Sequence, residues 1–315
     1  MRFGVFLPFY VFKNQKKNYF LNFDRFKEAV LECERLAYDS VWLDDHLMFE
    51  KQPILEAWTT LSALSSITKK IRLGTMVLSS SFRNPALLAK MAATFDVISS
   101  GRLEFGIGAG IQKDEHIAYG IPFLEPNLRV DRMREAVEII KSMWTHEKTT
   151  YKGKHYVTQE AFCEPKPLQK PHPPITIGGS GEKYTLKVTA QHADRFDWGY
   201  VSPPLYKHKL SVLESYCKAI GRNPQEIERS CWPGGQIFIA QNRAQLDETV
   251  SLKKPKDVSL KDFKKPCMAG TPNECIERIC QYSDLGVTYF MLYFGDLPNL
   301  EGLRFFAETV AKAFE

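Results

Sequence analysis

Short runs of β-branched and aromatic residues alternate with longer amphipathic stretches along almost the whole chain, and this alternation restricts the fold more than any other feature. Repeated strand–helix units produce such a pattern, because each crossover helix must cover one face of a parallel sheet. The first unit is plain. Phe3 to Leu7 reads as a strand, and Phe26, Ala29, Val30, Cys33, Leu36 and Ala37 then recur at helical spacing within residues 24–38. Further strands are predicted at 40–43, 71–76, 103–107, 175–177, 198–201, 236–240 and 289–293. Helices are predicted between them. Asn84-Pro85 marks one start, since Asn caps free amides and proline in the first turn forfeits no hydrogen bond; Thr271-Pro272-Asn273-Glu274 is a capping-box signature for another.

Eight strands with their helices suit a closed (β/α)8 TIM barrel better than an open sheet, and 315 residues fit one such domain spanning 1–315. Two stretches break the rhythm. Gly153 and five prolines between Pro165 and Pro174 exclude a long helix over about 149–174, after the fourth unit. A second irregular stretch, about 241–270, falls in the C-terminal third, and both are expected to be insertions.

Hydrophobic residues at 44% and charged residues at 25% describe an ordinary globular chain. The net charge of +5 is small and dispersed, so nucleic acid is not an expected partner. No apolar run approaches the roughly 20 residues that span a bilayer, and a membrane is not expected either. Seven cysteines without a C-x-x-C pair read as reduced, mostly buried thiols, and no signal segment is seen at the N-terminus. A cytoplasmic location is the expectation. The expected partners are a small-molecule substrate and a second copy of the chain in a homodimer.

Active sites of such barrels lie at the C-terminal strand ends, which selects Asp44-Asp45-His46, the segment from Met76 to Ser81, Gly108-Ala109-Gly110 and Gly178-Gly179-Ser180-Gly181. A histidine beside carboxylates suits proton transfer near neutral pH, orientation of a ring amide, or capping of the next segment. Adjacent residues rarely converge on one ion, so no metal is expected there. The Gly178–Gly181 loop lies between a strand and a helix, where free amides and the positive helix end suit a phosphate; an ordinary tight turn needs the same glycines. Gly106-x-Gly108-x-Gly110 lacks the dinucleotide spacing, which disfavours a Rossmann fold, and its open backbone can admit a planar ring. Trp42, Trp58 and Trp144 are assigned to the core, and His116 and His155 to hydrogen-bonded surface or loop positions.

Taken in order, Val41-Trp42-Leu43-Asp44-Asp45-His46, Ile71-Arg72-Leu73-Gly74-Thr75-Met76-Val77, Gly106-Ile107-Gly108-Ala109-Gly110, Ala118-Tyr119-Gly120-Ile121-Pro122-Phe123 and Pro174 to Gly181 resemble the luciferase-like monooxygenase superfamily, particularly its coenzyme F420-dependent branch. The resemblance implies hydride transfer between the deazaflavin F420 and a small organic substrate, with Asp45 and His46 in catalytic positions. It implies a cofactor held by Asp45, Thr75, Met76, Val77, Gly108, Ala109, Gly110, Gly178, Gly179, Ser180 and Gly181, and a non-proline cis peptide at Met76-Val77. Lys183 is expected to help neutralise the anionic F420 tail. An FMN-dependent monooxygenase and a cofactor-binding protein without turnover are the alternatives. In the glucose-6-phosphate dehydrogenase branch an acidic residue follows the Gly-x-Gly turn and tryptophan follows Asp-His; Ile111 and the stretch 47–52 depart from this, leaving His46 alone for acid–base work.

Overall fold

The computed structural model describes residues 1–13, 21–49 and 52–315. Eight strands form the barrel: β1 (Arg2–Phe6), β2 (Ser40–Leu43), β3 (Arg72–Thr75), β4 (Leu103–Gly108), β5 (Ile175–Gly178), β6 (Arg195–Asp197), β7 (Glu228–Cys231) and β8 (Tyr289–Leu292). Each pairs in parallel with the next, and β8 pairs with β1, so the sheet closes. The expected TIM barrel is what the chain forms. Eight helices cover it: α1 (Phe23–Arg35), α2 (Ala57–Ile67), α3 (Pro85–Ile98), α4 (Pro126–Thr145), α5 (Thr185–His192), α6 (Pro203–Ala219), α7 (Pro272–Ser283) and α8 (Glu301–Thr309). Asn84 accepts the amides of Ala86 and Leu87 at the start of α3, and the capping box of Thr271 and Glu274 opens α7, as their sequences require.

Period-two alternation sorts the strand residues. Val41, Leu43, Leu73, Phe105, Ile107, Ile175, Ile177, Phe196, Phe290 and Leu292 point outward into the main core beneath the helices. Trp42, Tyr289 and Met291 point inward, with Phe6, Met76 and Trp232 packed against them. Below this apolar plug, at the N-terminal end of the barrel, lies a layer of charge. Arg195 donates to Glu228 and Glu104, each at 2.7 Å; Arg2 also pairs with Glu228, and Arg72 with Glu104. The Arg195 guanidinium carbon stands 4.1 Å from the Tyr289 ring centre.

This layer explains where strand reading from sequence fails. Strands six and seven were expected at 198–201 and 236–240, but the barrel uses Arg195–Asp197 and Glu228–Cys231, whose charges hide the strand pattern. Of these charges Arg195 and Glu228 face the ionic layer, where partners replace water. The apolar run near 236–240 forms instead Ile237–Ile239, paired with Met268–Gly270 beside the barrel.

Residues 241–270 are not irregular, which corrects the expectation: helices Arg243–Lys253 and Leu260–Lys264 lie there. Phe238, Leu246, Val250 and Cys267 give them a small core of their own. Within 149–174 the chain makes an antiparallel hairpin, Lys148–Lys152 with Val157–Phe162, then a proline-rich segment with cis bonds at Pro165 and Pro171. Buried Glu135 holds the hairpin turn by accepting the amides of Lys154, His155 and Tyr156 at 2.8–3.1 Å. Among the described residues no helix is long and apolar enough to cross a membrane.

Candidate active site at the barrel mouth

Strand parity decides which residue after β2 faces the mouth. Ser40 and Trp42 point inward, so Asp44 follows them and Asp45 turns outward. The Asp45 carboxylate is 1% exposed; it accepts both Arg83 Nη1 and Nη2 at 2.8 Å and the Ser79 amide at 3.0 Å. Arg83 reaches on to Glu56, which caps α2 through the amides of Trp58 and Thr59. Asp45 therefore ties the loops after β2 and β3 to the start of α2. Both of its oxygens are engaged by Arg83 and Ser79.

His46 stays at the mouth, with 28% of its side chain exposed. Its Nδ1 lies 3.1 Å from Glu115 Oε1, and Glu115 Oε2 accepts the Leu47 amide at 3.0 Å. Glu115 is buried on the short helix Lys113–Ala118, so its carboxylate is fixed against the ring. In the tautomer with its proton on Nδ1, the ring donates to this carboxylate. Nε2 is left as the free acceptor, the arrangement that a proton-transferring histidine needs. Glu115 is an acidic residue that follows the Gly-x-Gly turn, five positions after Gly110 and one helical turn beyond Ile111. The signal was the acidic first turn Asp114-Glu115, which places one carboxylate inward and the other outward.

Asp44 is also buried, and its Oδ1 has no hydrogen-bond partner among the described residues. Burial pushes its carboxyl up to about 6, against the pull of His46 and the nearby amides of Asp44 and Phe9. His116, expected at a surface or loop position, is fully buried instead, with Nε2 2.7 Å from Ser81 Oγ and Nδ1 2.6 Å from the Gln112 carbonyl. His155 pairs with Asp131 at 2.9 Å, far from this chemistry on the α4 hairpin. Trp42, Trp58 and Trp144 are buried as expected.

After β3 the Met76-Val77 peptide is cis, as the resemblance implied. Met76 points into the barrel plug, and Thr75 is buried with its hydroxyl on the Gly106 carbonyl at 3.0 Å. Gly108 and Gly178 are not open to a ring: a Cβ at either would meet Val77 at 2.7 and 2.6 Å. Their missing side chains admit the Val77 isopropyl, and partly exposed Val77 presents the surface. Ala109 is half-buried against the main core, and Gly110 turns at φ +72° with its carbonyl held by Arg129.

Gly179 has φ +109°, a conformation that L side chains rarely adopt, and its amide donates to the Asp197 carbonyl at 2.7 Å. The next four amides, Ser180 to Lys183, donate to no backbone or side-chain acceptor among the described residues. They sit just before α5, where an anion finds both free N–H groups and the positive helix end. Lys209 closes the back of the loop on the Ser180 carbonyl and Glu182, at 2.8 and 3.1 Å. Lys183 points outward over the Tyr184 ring, at 5.2 Å. The site therefore offers a proton relay, an apolar face at Val77 and an anion cradle, all on one end of the barrel.

The sequence matches the family model described as Luciferase-like monooxygenase over residues 1–261. An F420-dependent glucose-6-phosphate dehydrogenase of Microbacterium testaceum is 28% identical over 308 residues, covering 88% of this chain and 89% of that one. Among solved structures, the coenzyme F420 dependent tetrahydromethanopterin reductase from Methanopyrus kandleri aligns with a TM-score of 0.81 at 19% identity, covering 100% and 99% of the two chains. EDTA monooxygenase from Chelativorans sp. BNC1 aligns with a TM-score of 0.83 at 15% identity, covering 99% and 93%. The two structures carry different chemistries at equal likeness, so they speak for the barrel only.

Proposed function

Since this chain belongs to the luciferase-like monooxygenase family, we propose that it is an F420-dependent oxidoreductase, moving a hydride between the deazaflavin and a small organic substrate. The observation that carries the reading is the His46–Glu115 couple, set on the same barrel end as the free amides of Ser180 to Lys183. The named F420-dependent dehydrogenase relative supports the choice of cofactor.

The donor set fits such a group. Val77 would back its ring, and the Gly179–Lys183 amides would take phosphate, while Thr75, Gly108 and Gly178 act indirectly by shaping the Val77 surface. Bound F420 supplies a two-electron acceptor or donor of hydride. His46 Nε2 takes the proton of a substrate hydroxyl as hydride leaves its carbon, and returns it when a carbonyl is reduced. Glu115 stabilises the imidazolium formed in between. Asp45 is a positioning residue, because its carboxylate holds Arg83 and Ser79 and sets the backbone that carries His46.

Titration of the purified protein with F420 and with FMN, followed by anaerobic assay, tests this. Tighter F420 binding and oxygen-independent turnover are expected. Tighter FMN binding with oxygen-dependent turnover would replace the reading by a flavin monooxygenase, and binding without any turnover by a carrier.

Cytoplasmic location and a homodimer belong to the same proposal. Six buried, unpaired cysteines support the first. Exposed Ile67, Leu87 and Ile98 beside a 390 Å³ groove between α2 and α3, lined by Trp58, Met91 and Phe95, support the second. Light scattering should give a dimer mass, and Ile98→Lys should shift it toward monomer.

A further inference from the structure

Five rings surround the mouth on the β1, β2, β7 and β8 side. Phe6 meets Trp232 edge-on at 5.4 Å and Tyr293 at 5.7 Å, Tyr10 stacks on Phe49 at 5.7 Å, and the Tyr10 and Tyr293 hydroxyls are 3.5 Å apart. All five are partly exposed, although strand parity turns Phe6, Trp232 and Tyr293 inward. Part of each ring is therefore open at the mouth, while Phe6 and Trp232 also rest on the plug and Tyr293 on the main core. Trp232 is braced by its Nε1, which donates to Asp197 at 2.6 Å. Phe49 also touches the His46 ring, at 5.7 Å, which joins this collar to the proton relay.

Strand parity turns Asp44 inward at the same mouth, close to Tyr10 and His46. Its buried Oδ1 has no hydrogen-bond partner among the described residues. A buried acceptor left without a donor is costly, and a ligand donor would remove that penalty. Charge narrows the ligand further. Asp44, Asp197 and Glu115 are the buried acids of the mouth, and among the described residues no lysine or arginine stacks on any of the five rings. An uncharged ring would meet apolar faces there.

We propose that the collar and Asp44 form the substrate subsite, specific for an uncharged cyclic or aromatic alcohol, or its ketone, that carries a second hydrogen-bond donor for Asp44. This rests on the F420 reading above and adds the substrate class. The reacting hydroxyl belongs to His46, which takes its proton while the carbinol hydride passes to oxidised F420. The second hydroxyl donates to Asp44 and is not consumed. Asp44 is thus a specificity-determining residue, and Trp232 and Phe6 set the ring plane.

Cyclohexanol, cyclohexane-1,2-diol and glucose 6-phosphate serve as probes. Binding is measured by calorimetry on the protein without cofactor, and kcat/KM with F420 under anaerobic conditions. The diol is expected to bind and react at least tenfold better than cyclohexanol, because a site built to pair a hydroxyl discriminates strongly against its absence. That ratio should fall to near unity in Asp44→Leu and persist in part in Asp44→Asn, which keeps an acceptor oxygen. Trp232→Ala should weaken both ring compounds. A diol-to-cyclohexanol ratio unchanged in both Asp44 variants, or glucose 6-phosphate preferred over the diol, overturns the proposal. Calorimetry on the cofactor-free protein separates the two readings: ring selectivity that persists where F420 fails to bind sinks the cofactor assignment and leaves the subsite standing.

Discussion

The two ends of the barrel use charge in opposite ways. At the N-terminal end the two glutamates of the inner layer are each shared between arginines: Glu104 between Arg72 and Arg195, Glu228 between Arg2 and Arg195. At the C-terminal end Asp45 and Glu115 are engaged, but among the described residues an oxygen of Asp44 and four successive amides before α5 have no partner. One strand can serve both ends, as β2 does with Ser40 in the lower network and Asp44 in the mouth. A closed lower layer secures the fold, and unmatched polar groups above it are what a ligand can complete.

Variants at the two ends should therefore fail differently. His46→Ala is expected to lower kcat by about 10²–10⁴, the usual worth of a positioned acid–base group, with little loss of stability because the ring is partly exposed. Steady-state rates beside urea melts decide it, and an unchanged rate with a large stability loss would make His46 a cap. Arg195→Met should do the reverse. It strips Glu104 and Glu228 of a shared buried partner, and a loss of about 3–5 kcal/mol in urea unfolding is expected, with cofactor affinity of the folded fraction intact.

Asp44→Asn sharpens the contrast through pH. The folded carboxyl, near 6, lies above its unfolded value, so the protonated form stabilises the fold fully below about pH 4, and that contribution is lost as pH rises through 6. The variant should match the wild type near pH 4 and exceed it by up to about 3 kcal/mol at pH 8. A flat difference across that range would mean that Asp44 is solvated. Least in size is Gly181→Val, whose Cβ would stand 3.2 Å from Thr185 Oγ1 without any backbone requirement, unlike Gly179. Crowding of the free amides should weaken F420 by about tenfold, roughly 1.4 kcal/mol, in a fluorescence titration. Unaltered affinity would return the loop to an ordinary turn.

Local chemistry was legible in the sequence. Hydrophobic period announced six of the eight strands, because their outward residues must be apolar wherever helices cover them. Caps at Asn84 and Thr271 announced helix starts, since those side chains bond amides two or three residues away. The placement of His46 at a strand end, and of the Gly178–Gly181 loop between strand and helix, followed from the same order along the chain. Tertiary structure decided the rest, because it depends on partners distant in sequence. Charged β6 and β7 become strands only when Arg195 and Glu228 find Glu104, Arg2 and one another across the barrel. Asp45 turns outward to Arg83 while Asp44 turns inward, a choice set by the register of β2 against β1. Gly108 and Gly178 make room for Val77, and His46 gains its carboxylate from Glu115, 69 residues away.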